Sequence, residues 1–405
     1  HDELRRQRQM CIRDSLISIE ICNFSSISSN VAEVQRLSHS VGEENRVMKF
    51  LTFCFTVLLA ACSNVDLHIA DCQPMGEIRP VCGMQTPEDI ARLEDNRHLL
   101  LAHFGGMFHG TGSLSLFDTE TERLTPLLPR NNGGVDVSTA DWGDADCAAP
   151  DFERFRPHGT HLHQLVDGRW RYLVVNHGER ETIEMFELVG EGAQSSLTWR
   201  GCLEPAPETF MNDAVGLPNG DVIYTRMLRT AGSVFEQLLS VAGFDTGELW
   251  RWNQVTGLRR LSGTEANQPN GIEVSSDGRH VFANMYMTQE LWKVDVDSGE
   301  VVATASVTRP DNSAWGSDGR LWVASHSDSI PNMLACAGQQ ETACGARFQI
   351  VAVEPETMAT ETIFEHQGPP MGAATVAVAQ AGRVYMGSFV GDRLISMPDF
   401  TLASP

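Results

Sequence analysis

Lysine is almost missing from this chain of 405 residues: Lys49 and Lys293 are the only two, and arginine supplies the other 28 basic side chains. The 53 Asp and Glu residues outnumber the basic ones, and the formal net charge is −23. This balance argues against nucleic-acid binding, which needs clustered cations, and against docking on anionic membranes through a basic patch. Because 42% of the residues are hydrophobic, the chain can still bury a sizeable core.

The familiar catalytic motifs are also absent. The sequence has no GxSxG, HExxH, Walker or CxxC motif, which argues against serine hydrolases with a nucleophile elbow, zincins, P-loop enzymes and thiol-redox proteins. The segment Asp295–Gly299 lacks the distal bidentate Glu of an EF-hand and is predicted to be a turn. Strand-like sequence follows the Gly-rich stretch 105–112, so a loop is predicted there rather than a phosphate site.

The one long apolar run covers residues 51–61, and its 11 residues are too few to span a bilayer, which takes about 20. Met48-Lys49 precedes the run, and Leu59-Ala60-Ala61-Cys62 follows like a bacterial lipobox. We therefore predict a signal peptide over 48–61 and a lipid on Cys62 that attaches the protein to the membrane. The next residue is Ser rather than Asp, which favours an exported lipoprotein on the periplasmic side of the outer membrane or on the cell surface. Residues 1–47 are then upstream, non-native sequence; a plain signal or a buried strand are the alternatives.

Cysteine usage agrees with export. Six of the ten cysteines lie after Cys62, at positions 72, 82, 147, 202, 336 and 344. An even number in an exported chain predicts disulfides. Cys72–Cys82 and Cys336–Cys344 are plausible local pairs, and the full connectivity stays open.

One hairpin pattern recurs along the chain. A turn dipeptide separates two short apolar strands at Asp95-Asn96, Asp167-Gly168, Asn219-Gly220, Asp277-Gly278, Asp318-Gly319 and Ala381-Gly382. Asn-Gly and Asp-Gly between such strands predict type I′ hairpins. Six repeats of one pattern favour an all-β, six-bladed β-propeller over a β-sandwich. We place the propeller at residues 85–405, preceded by a linker and N-terminal closure segment at 62–84, and we expect a short helix only within 230–242.

Polar residues recur just before the first strand of five hairpins. They are Glu88-Asp89, His158-Gly159, Asn212-Asp213, Asn270-Gly271 and Asp311-Asn312. The equivalent strand of every propeller blade faces the central channel, so these positions should converge near its axis. Carboxylate and amide oxygens gathered in this way suit Ca²⁺. Two other interpretations are that these residues merely start strands, and that His158, His161 and His163 bind zinc.

These segments resemble the paraoxonase/arylesterase family of propeller lactonases and, more distantly, SMP-30/gluconolactonase/strictosidine-synthase-like propellers. The most similar stretch runs from Tyr172-Leu173-Val174-Val175-Asn176-His177-Gly178-Glu179 through Thr182–Leu188, and ordered patches extend over 85–395. The resemblance implies a catalytic calcium held by Glu88, Asn212, Asn270, Asp311 and Asn312. It implies a second, structural calcium held by Asp89, Asp213 and the backbone carbonyl of Thr160. It also implies that His158 and His177 activate water.

The predicted function is therefore calcium-dependent hydrolysis of small lactones or aryl esters, with two calcium ions. A gluconolactonase-type hydrolase of sugar lactones and a non-catalytic binding propeller at the cell envelope are the alternatives. The chain departs from the family in having no Cys after Cys344, so ring closure must rely on strand pairing. The stretches 105–157, 226–248 and 327–347 are expected to form the pocket rim.

Overall fold

The computed structural model describes residues 67–106, 110–128, 136–339 and 341–402, without the side chains of 136–141. The chain divides into two units, His1–Asn64 and Val65–Pro405, and every described residue belongs to the second. The predicted signal, Cys62 and the upstream residues 1–47 lie outside the described residues, as does part of the Gly-rich stretch. In the described ranges, no helix has the length and apolar character that crossing a membrane requires.

Six antiparallel sheets follow one another along the chain and form six blades. Blade 1 contains β3 (Pro87–Arg92), β4 (His98–His103), β5 (Ser113–Asp118) and β6 (Arg123–Leu128). Blade 2 contains β8 (Pro157–Gln164), β9 (Trp170–Asn176), β10 (Thr182–Val189) and β11 (Ser196–Leu203), with β7 (Asp136–Gly143) added parallel to its outer edge. Blade 3 contains β12 (Phe210–Gly216), β13 (Val222–Leu228), β14 (Glu248–Asn253) and β15 (Gly257–Arg260).

The remaining blades repeat this order. Blade 4 contains β16 (Pro269–Val274), β17 (His280–Met285), β18 (Glu290–Asp295) and β19 (Val301–Ser306). Blade 5 contains β20 (Pro310–Trp315), β21 (Leu321–His326), β23 (Phe348–Val353) and β24 (Thr360–His366). Blade 6 contains β25 (Ala374–Gln380), β26 (Arg383–Ser388), β27 (Arg393–Pro398) and, from the N-terminal side, β2 (Arg79–Cys82).

The blades close into a ring around a central channel. The first strand of each blade contacts the first strand of the next, and β25 of the last blade contacts β3 of the first. The predicted six-bladed β-propeller is thus confirmed. Ring closure uses the antiparallel pairing of β2 with β27, in which Val81 lies opposite Leu394. A separate short pairing joins β1 (His68–Ile69) to β22 (Ala343–Cys344).

All six predicted hairpin turns join the first and second strands of a blade, but the expected turn type was wrong at Asn-Gly and Asp-Gly. At Asp167-Gly168 only the glycine has a positive φ, 88°, and its N–H donates to the carbonyl of Leu165 at 2.9 Å. This is a type I turn followed by a left-handed glycine, a geometry that also matches the twist of the strands. The Asp167 side chain favours it, because Oδ1 accepts a hydrogen bond from the N–H of Arg169 at 3.0 Å. The segment at Asp295 is a turn, as predicted.

Apolar side chains from neighbouring blades fill the spaces between the sheets and form the core, so the channel itself is left to polar residues. The predicted short helix is confirmed as α1 (Val234–Val241), which Ser233 caps by accepting from the N–H of Glu236. A second helix, α2 (Ile330–Cys336), lies in the loop after β21. The local disulfides Cys72–Cys82 and Cys336–Cys344 are confirmed, and Cys147 pairs with Cys202.

Candidate metal centre and histidine pair

Every innermost strand contains a β-bulge, and in five of the six strands it lies at the predicted site residues. The register shifts lie at residues 87–89, 157–160, 211–214, 269–272, 310–313 and 374–376. Consecutive residues of a regular strand point to opposite faces, and a bulge re-aims one of them. Glu88 and Asp89 can therefore both be buried in the channel, as can Asn212 and Asp213.

The sequence forms these bulges through the residues that enter each strand. Proline begins β3, β8, β16 and β20, where a missing N–H costs no ladder hydrogen bond. The residue before three of these prolines has a left-handed φ: 46° at Thr86, 55° at Gln268 and 38° at Arg309. Such non-glycine conformations persist where surrounding structure enforces them, and they cluster at functional sites.

The five residues predicted to hold the catalytic calcium are all buried, with exposed fractions of at most 5%. Asn312 Nδ2 donates to Glu88 Oε1 at 2.9 Å, and the side chain of Asn270 hydrogen-bonds to Asp311. Across the part of the chain that the structure describes, four buried oxygens in this set have no hydrogen-bond partner: Glu88 Oε2 and the Oδ1 atoms of Asn212, Asn270 and Asn312. Buried polar atoms are normally satisfied, so these four oxygens are available as ligands for a cation.

The electrostatics agree with a cation. Burial raises the pKa of Glu88 well above its usual value, and the nearby carboxylates of Asp89 and Asp311 raise it further. Burial likewise raises the pKa of Asp311 to about 8. No group of three or more His, Cys, Asp and Glu side chains in the described ranges is placed to share a metal ion. This centre instead has two carboxylates and three amides, which is an oxygen set that suits a hard cation such as Ca²⁺.

The residues predicted for the structural calcium form a second layer. The N–H and Oγ1 of Thr160 both donate to Asp89 Oδ2 at 2.7 Å, and the N–H of Ile272 donates to Asp213 Oδ2 at 2.9 Å. Burial and the charge of Asp89 raise the pKa of Asp213 well above its usual value. A Cβ on Gly159 would lie 2.3 Å from Asp213 Oδ1, so this glycine makes room for the carboxylate. The role of the Thr160 carbonyl as a ligand stays a prediction.

The two predicted catalytic histidines are in contact. His177 Nε2 lies 3.1 Å from His158 Nδ1, and His177 Nδ1 lies 2.7 Å from Glu181 Oε1. If Glu181 accepts from His177 Nδ1–H, then His177 Nε2 must accept from His158 Nδ1–H. This assignment leaves a lone pair on His158 Nε2, which lies 3.7 Å from Glu88 Oε1. Burial lowers the pKa of His158 well below its usual value, helped by His177 and Arg156, so the imidazole is neutral at pH 7.

Sequence reasoning missed several residues around this centre. Glu181 lies only four positions after His177, a spacing that could have suggested the contact. Phe104 stacks on His158 with ring centroids 4.6 Å apart, and Phe210 stacks on His177 at 4.4 Å. His326 lies at the end of β21, with Nε2 3.4 Å from Asp311 Oδ2. Because β21 pairs with β20, the strand that contains Asp311, the register of this hairpin could have predicted the contact from the sequence.

The alternative zinc site is not formed. His158 contacts His177, whereas His161 Nδ1 lies 3.3 Å from His163 Nδ1 and His161 Nε2 lies 3.5 Å from Glu273 Oε1. These two histidines line a cavity of about 1050 Å³ that also reaches Asp89 and Asp213. The bulge at residues 157–160 separates His158 from His161 and His163, so the three imidazoles do not converge.

Comparison with known proteins gives a partial match. No curated protein sequence is significantly similar to the chain. Among solved structures, a gluconolactonase from Xanthomonas campestris has 15% identity, covers 83% of this chain and 92% of its own, and gives a TM-score of 0.47. A luciferin-regenerating enzyme has 13% identity, 79% and 95% coverage and a TM-score of 0.47. The calcium-binding protein regucalcin from Agrobacterium tumefaciens has 13% identity, 82% and 92% coverage and a TM-score of 0.44.

A family model matches the middle of the chain. Residues 172–340, from β9 in blade 2 to shortly after α2 in blade 5, match the family described as SMP-30/Gluconolactonase/LRE-like region. The finer resemblance to the paraoxonase/arylesterase family stays a prediction. Over these residues the chain is therefore similar to the SMP-30/gluconolactonase/LRE-like family.

Proposed function

We propose that this protein is a calcium-dependent hydrolase of lactones or aryl esters. The observation that carries the proposal is the group of four unpartnered, buried oxygens around Glu88, Asn212, Asn270 and Asn312, beside a neutral histidine. A calcium ion held by these residues and Asp311 would polarise an ester carbonyl and stabilise the developing oxyanion. The family match over residues 172–340 supports a lactone as the substrate class.

His158 is the proposed general base. Its free Nε2 faces the centre, and its lowered pKa keeps that nitrogen unprotonated at neutral pH. The tautomer of His158 would be set by two contacts: His177 Nε2 lies 3.1 Å from His158 Nδ1, and Glu181 Oε1 lies 2.7 Å from His177 Nδ1. A third group orients the base of a catalytic triad in the same way. Phe104 and Phe210 pack on the two imidazoles and limit their rotation. The proton of the attacking water would pass to His158 Nε2.

An assay of the purified protein with γ- and δ-lactones, a sugar lactone and phenyl acetate, with calcium and then with excess chelator, tests this function. We expect hydrolysis that is lost with the chelator and restored by calcium. Activity that survives chelation would contradict the calcium requirement. Complete inactivity with calcium would instead favour a binding propeller.

The same panel separates the substrate classes. Because a gluconolactonase-related family model matches residues 172–340, sugar lactones are the second candidate. A kcat/KM for the sugar lactone at least about tenfold above that for phenyl acetate and simple lactones would favour this candidate.

The ligand assignment is tested by Asn270→Ala. We expect loss of turnover and of calcium-induced stabilisation, because Asn270 Oδ1 is one of the unpartnered oxygens. Asn219→Ala, in the β12–β13 turn at the other end of a blade, is the control and should behave as the unmodified protein. An Asn270→Ala variant with unchanged calcium affinity and turnover would refute the assignment.

Export as a lipoprotein, with a lipid on Cys62, remains part of the proposal. Three disulfides in the described residues support an oxidising compartment. Expression of the full chain in a Gram-negative host and mass spectrometry of the mature N-terminus should find a diacylated or triacylated Cys62. A Cys62→Ser chain that fractionates with the outer membrane as before would contradict lipid attachment.

A further inference from the structure

Two arginines stand beside the candidate centre, in equivalent positions of two blades. Arg156 precedes Pro157-His158 at the start of β8, and Arg309 precedes Pro310-Asp311 at the start of β20. These strands belong to blades 2 and 5, which face each other across a ring of six. Each arginine is therefore next to a strand residue of the centre, and the pair flanks the end of the channel at which His158 and Asp311 lie.

Both side chains have unused hydrogen-bonding capacity. Arg156 donates from Nη2 to the carbonyl of Gly106 at 2.8 Å. Arg309 donates from Nη2 to the carbonyl of Asp328 and also hydrogen-bonds to the side chain of Tyr286, which still leaves part of its five-donor guanidinium unused. The Nε atoms of both arginines are buried without an acceptor, and within the described ranges neither guanidinium has a carboxylate at salt-bridge distance. In contrast, Arg154, two residues before Arg156, lies 3.1 Å from Glu179 Oε1. Unpaired guanidinium groups are unexpected in a protein with so large an excess of acidic residues.

The arginines act on the residues of the centre. Arg156 lies over the ring of Phe104, 4.9 Å from its centroid, and the same ring stacks on His158. Arg309 hydrogen-bonds to the side chain of Tyr286, whose hydroxyl lies 3.1 Å from His326 Nδ1. The other ring nitrogen of His326, Nε2, lies 3.4 Å from Asp311 Oδ2.

The carboxylate that influences Arg156 most is already engaged. Glu181 accepts from His177 at 2.7 Å and from the N–H of Met211 at 3.4 Å. A ligand at the centre is thus the natural acceptor for the free N–H groups of the two arginines.

We propose that Arg156 and Arg309 select substrates that carry a carboxylate next to the scissile lactone or ester group. The guanidinium fork matches a carboxylate in two parallel hydrogen bonds, and such charge-assisted bonds are about twice as strong as neutral ones. This inference rests on the proposed function, because it names the substrate class of the same site. It explains why a protein of net charge −23 keeps two unpaired cations at this place.

Two lactones that differ in one substituent test the inference. γ-Carboxy-γ-butyrolactone carries a carboxylate where γ-valerolactone carries a methyl group. With the full-length, calcium-loaded protein we expect kcat/KM to be at least about tenfold higher for the carboxylate substrate, which corresponds to one charge-assisted hydrogen bond. The preference should shrink as ionic strength rises, since salt screens exposed charge.

Variants assign the preference to the two arginines. Arg156→Gln and Arg309→Gln keep a hydrogen-bond donor but lose the charge, and each should lower kcat/KM for the carboxylate lactone at least about tenfold more than it lowers kcat/KM for the methyl lactone. Arg154→Gln is the matched control and should change neither value. Product inhibition gives a second measurement: 2-hydroxyglutarate should inhibit γ-valerolactone hydrolysis by the unmodified protein and much less by the two variants.

The possible results of these assays distinguish a failure of this inference from a failure of the proposed function. Hydrolysis of γ-valerolactone or phenyl acetate with no advantage for the carboxylate lactone would overturn the inference alone. The inference also fails if either variant slows both lactones equally, because the arginine is then structural. If no lactone or ester is hydrolysed, the proposed function fails, and the inference fails with it.

Discussion

At the scale of single residues, the candidate site depends on small side chains as much as on charged ones. Gly159 and Gly271 follow His158 and Asn270, and a Cβ at either would meet atoms of the neighbouring blade within 3 Å. Gly271 leaves space for Asn312 Oδ1, and Gly159 leaves space for Asp213. Inner strands of neighbouring blades can therefore come close enough to bring these oxygens together only where one of the two strands has no side chain.

We predict that Gly159→Ala damages the deeper layer. The new Cβ would lie 2.3 Å from Asp213 Oδ1 and 2.6 Å from Asp213 Cα, so the strand or the carboxylate must move. Overpacking of this kind costs about 1–3 kcal/mol. Urea unfolding should show that loss, and calcium titration should show one weakened site. Gly338→Ala is the control, because a Cβ at that position would have no atom within 4 Å and stability should not change.

We predict that His158→Gln slows hydrolysis by about 10²–10⁴-fold in kcat, the usual contribution of a general base. Gln cannot accept the proton that His158 Nε2 would take. His161→Gln is the matched control, because His161 contacts His163 and Glu273 rather than the histidine pair. Steady-state kinetics with calcium present measures the effect. A rate within about twofold of the unmodified protein for His158→Gln would remove its role as base.

At the scale of elements, ring closure is the feature on which the site geometry depends. The site residues come from the first strands of different blades, so they keep their distances only while the ring is closed. Closure uses the four-residue strand β2, and the Cys72–Cys82 disulfide holds one end of that strand. A strand this short forms few ladder hydrogen bonds, so the covalent link limits its fraying.

We predict that Cys72→Ser/Cys82→Ser lowers the free energy of unfolding more than Cys336→Ser/Cys344→Ser. The two disulfides join residues 10 and 8 positions apart, so their effects on the unfolded chain are nearly equal, about 2–3 kcal/mol. If loss of Cys72–Cys82 lowers the free energy of unfolding by more than loss of Cys336–Cys344, the difference measures the contribution of Cys72–Cys82 to ring closure. Equal losses of stability in urea would show that β2 closes the ring without help from the disulfide.

At the scale of the whole molecule, four buried carboxylates in one channel are the dominant electrostatic feature. Glu88, Asp89, Asp213 and Asp311 are all at most 6% exposed, and burial raises the pKa of each. A carboxyl with a raised pKa in the folded state binds more protons there than in the unfolded state. The contribution of these four carboxyls to stability without a cation must therefore fall as pH rises from about 4 to about 8. Buried histidines with lowered pKa values, such as His158 and His326, act in the opposite direction below about pH 6.5, so the effect of the carboxyls is isolated above that pH.

We predict that calcium reverses this pH dependence. In excess chelator the melting temperature should fall between pH 7 and pH 8, because the buried carboxyls must lose their protons in a range where the histidines are largely neutral in both the folded and the unfolded state. With calcium present the fall should be much smaller, since the cation stabilises the ionised forms. Calcium binding at pH 7 should release protons, because the pKa of Asp311 is about 8 before the cation binds. Calorimetry in two buffers of different ionisation enthalpy measures the release, and no release would contradict the prediction.

The sequence by itself determined the architecture and the chemical types of the site. Turn dipeptides at six places fix where each blade begins its first hairpin, because these turns depend on local backbone preferences. The pairs Glu88-Asp89, Asn212-Asp213 and Asp311-Asn312 can be recognised because the same polar types recur at the start of successive strands. The third disulfide, Cys147–Cys202, was not assigned, since its two residues are 55 positions apart and no local pattern links them.

Only the tertiary structure decided which side chains meet. The bulges let adjacent residues enter the same channel, and a bulge arises from pairing with a neighbouring strand rather than from local sequence alone. His326 reaches Asp311 through hairpin register, and Glu181 orders the histidine pair from a loop. Arg156 and Arg309 are 153 positions apart in the chain. They face one site because the ring places blades 2 and 5 opposite each other, a relation that no short stretch of sequence contains.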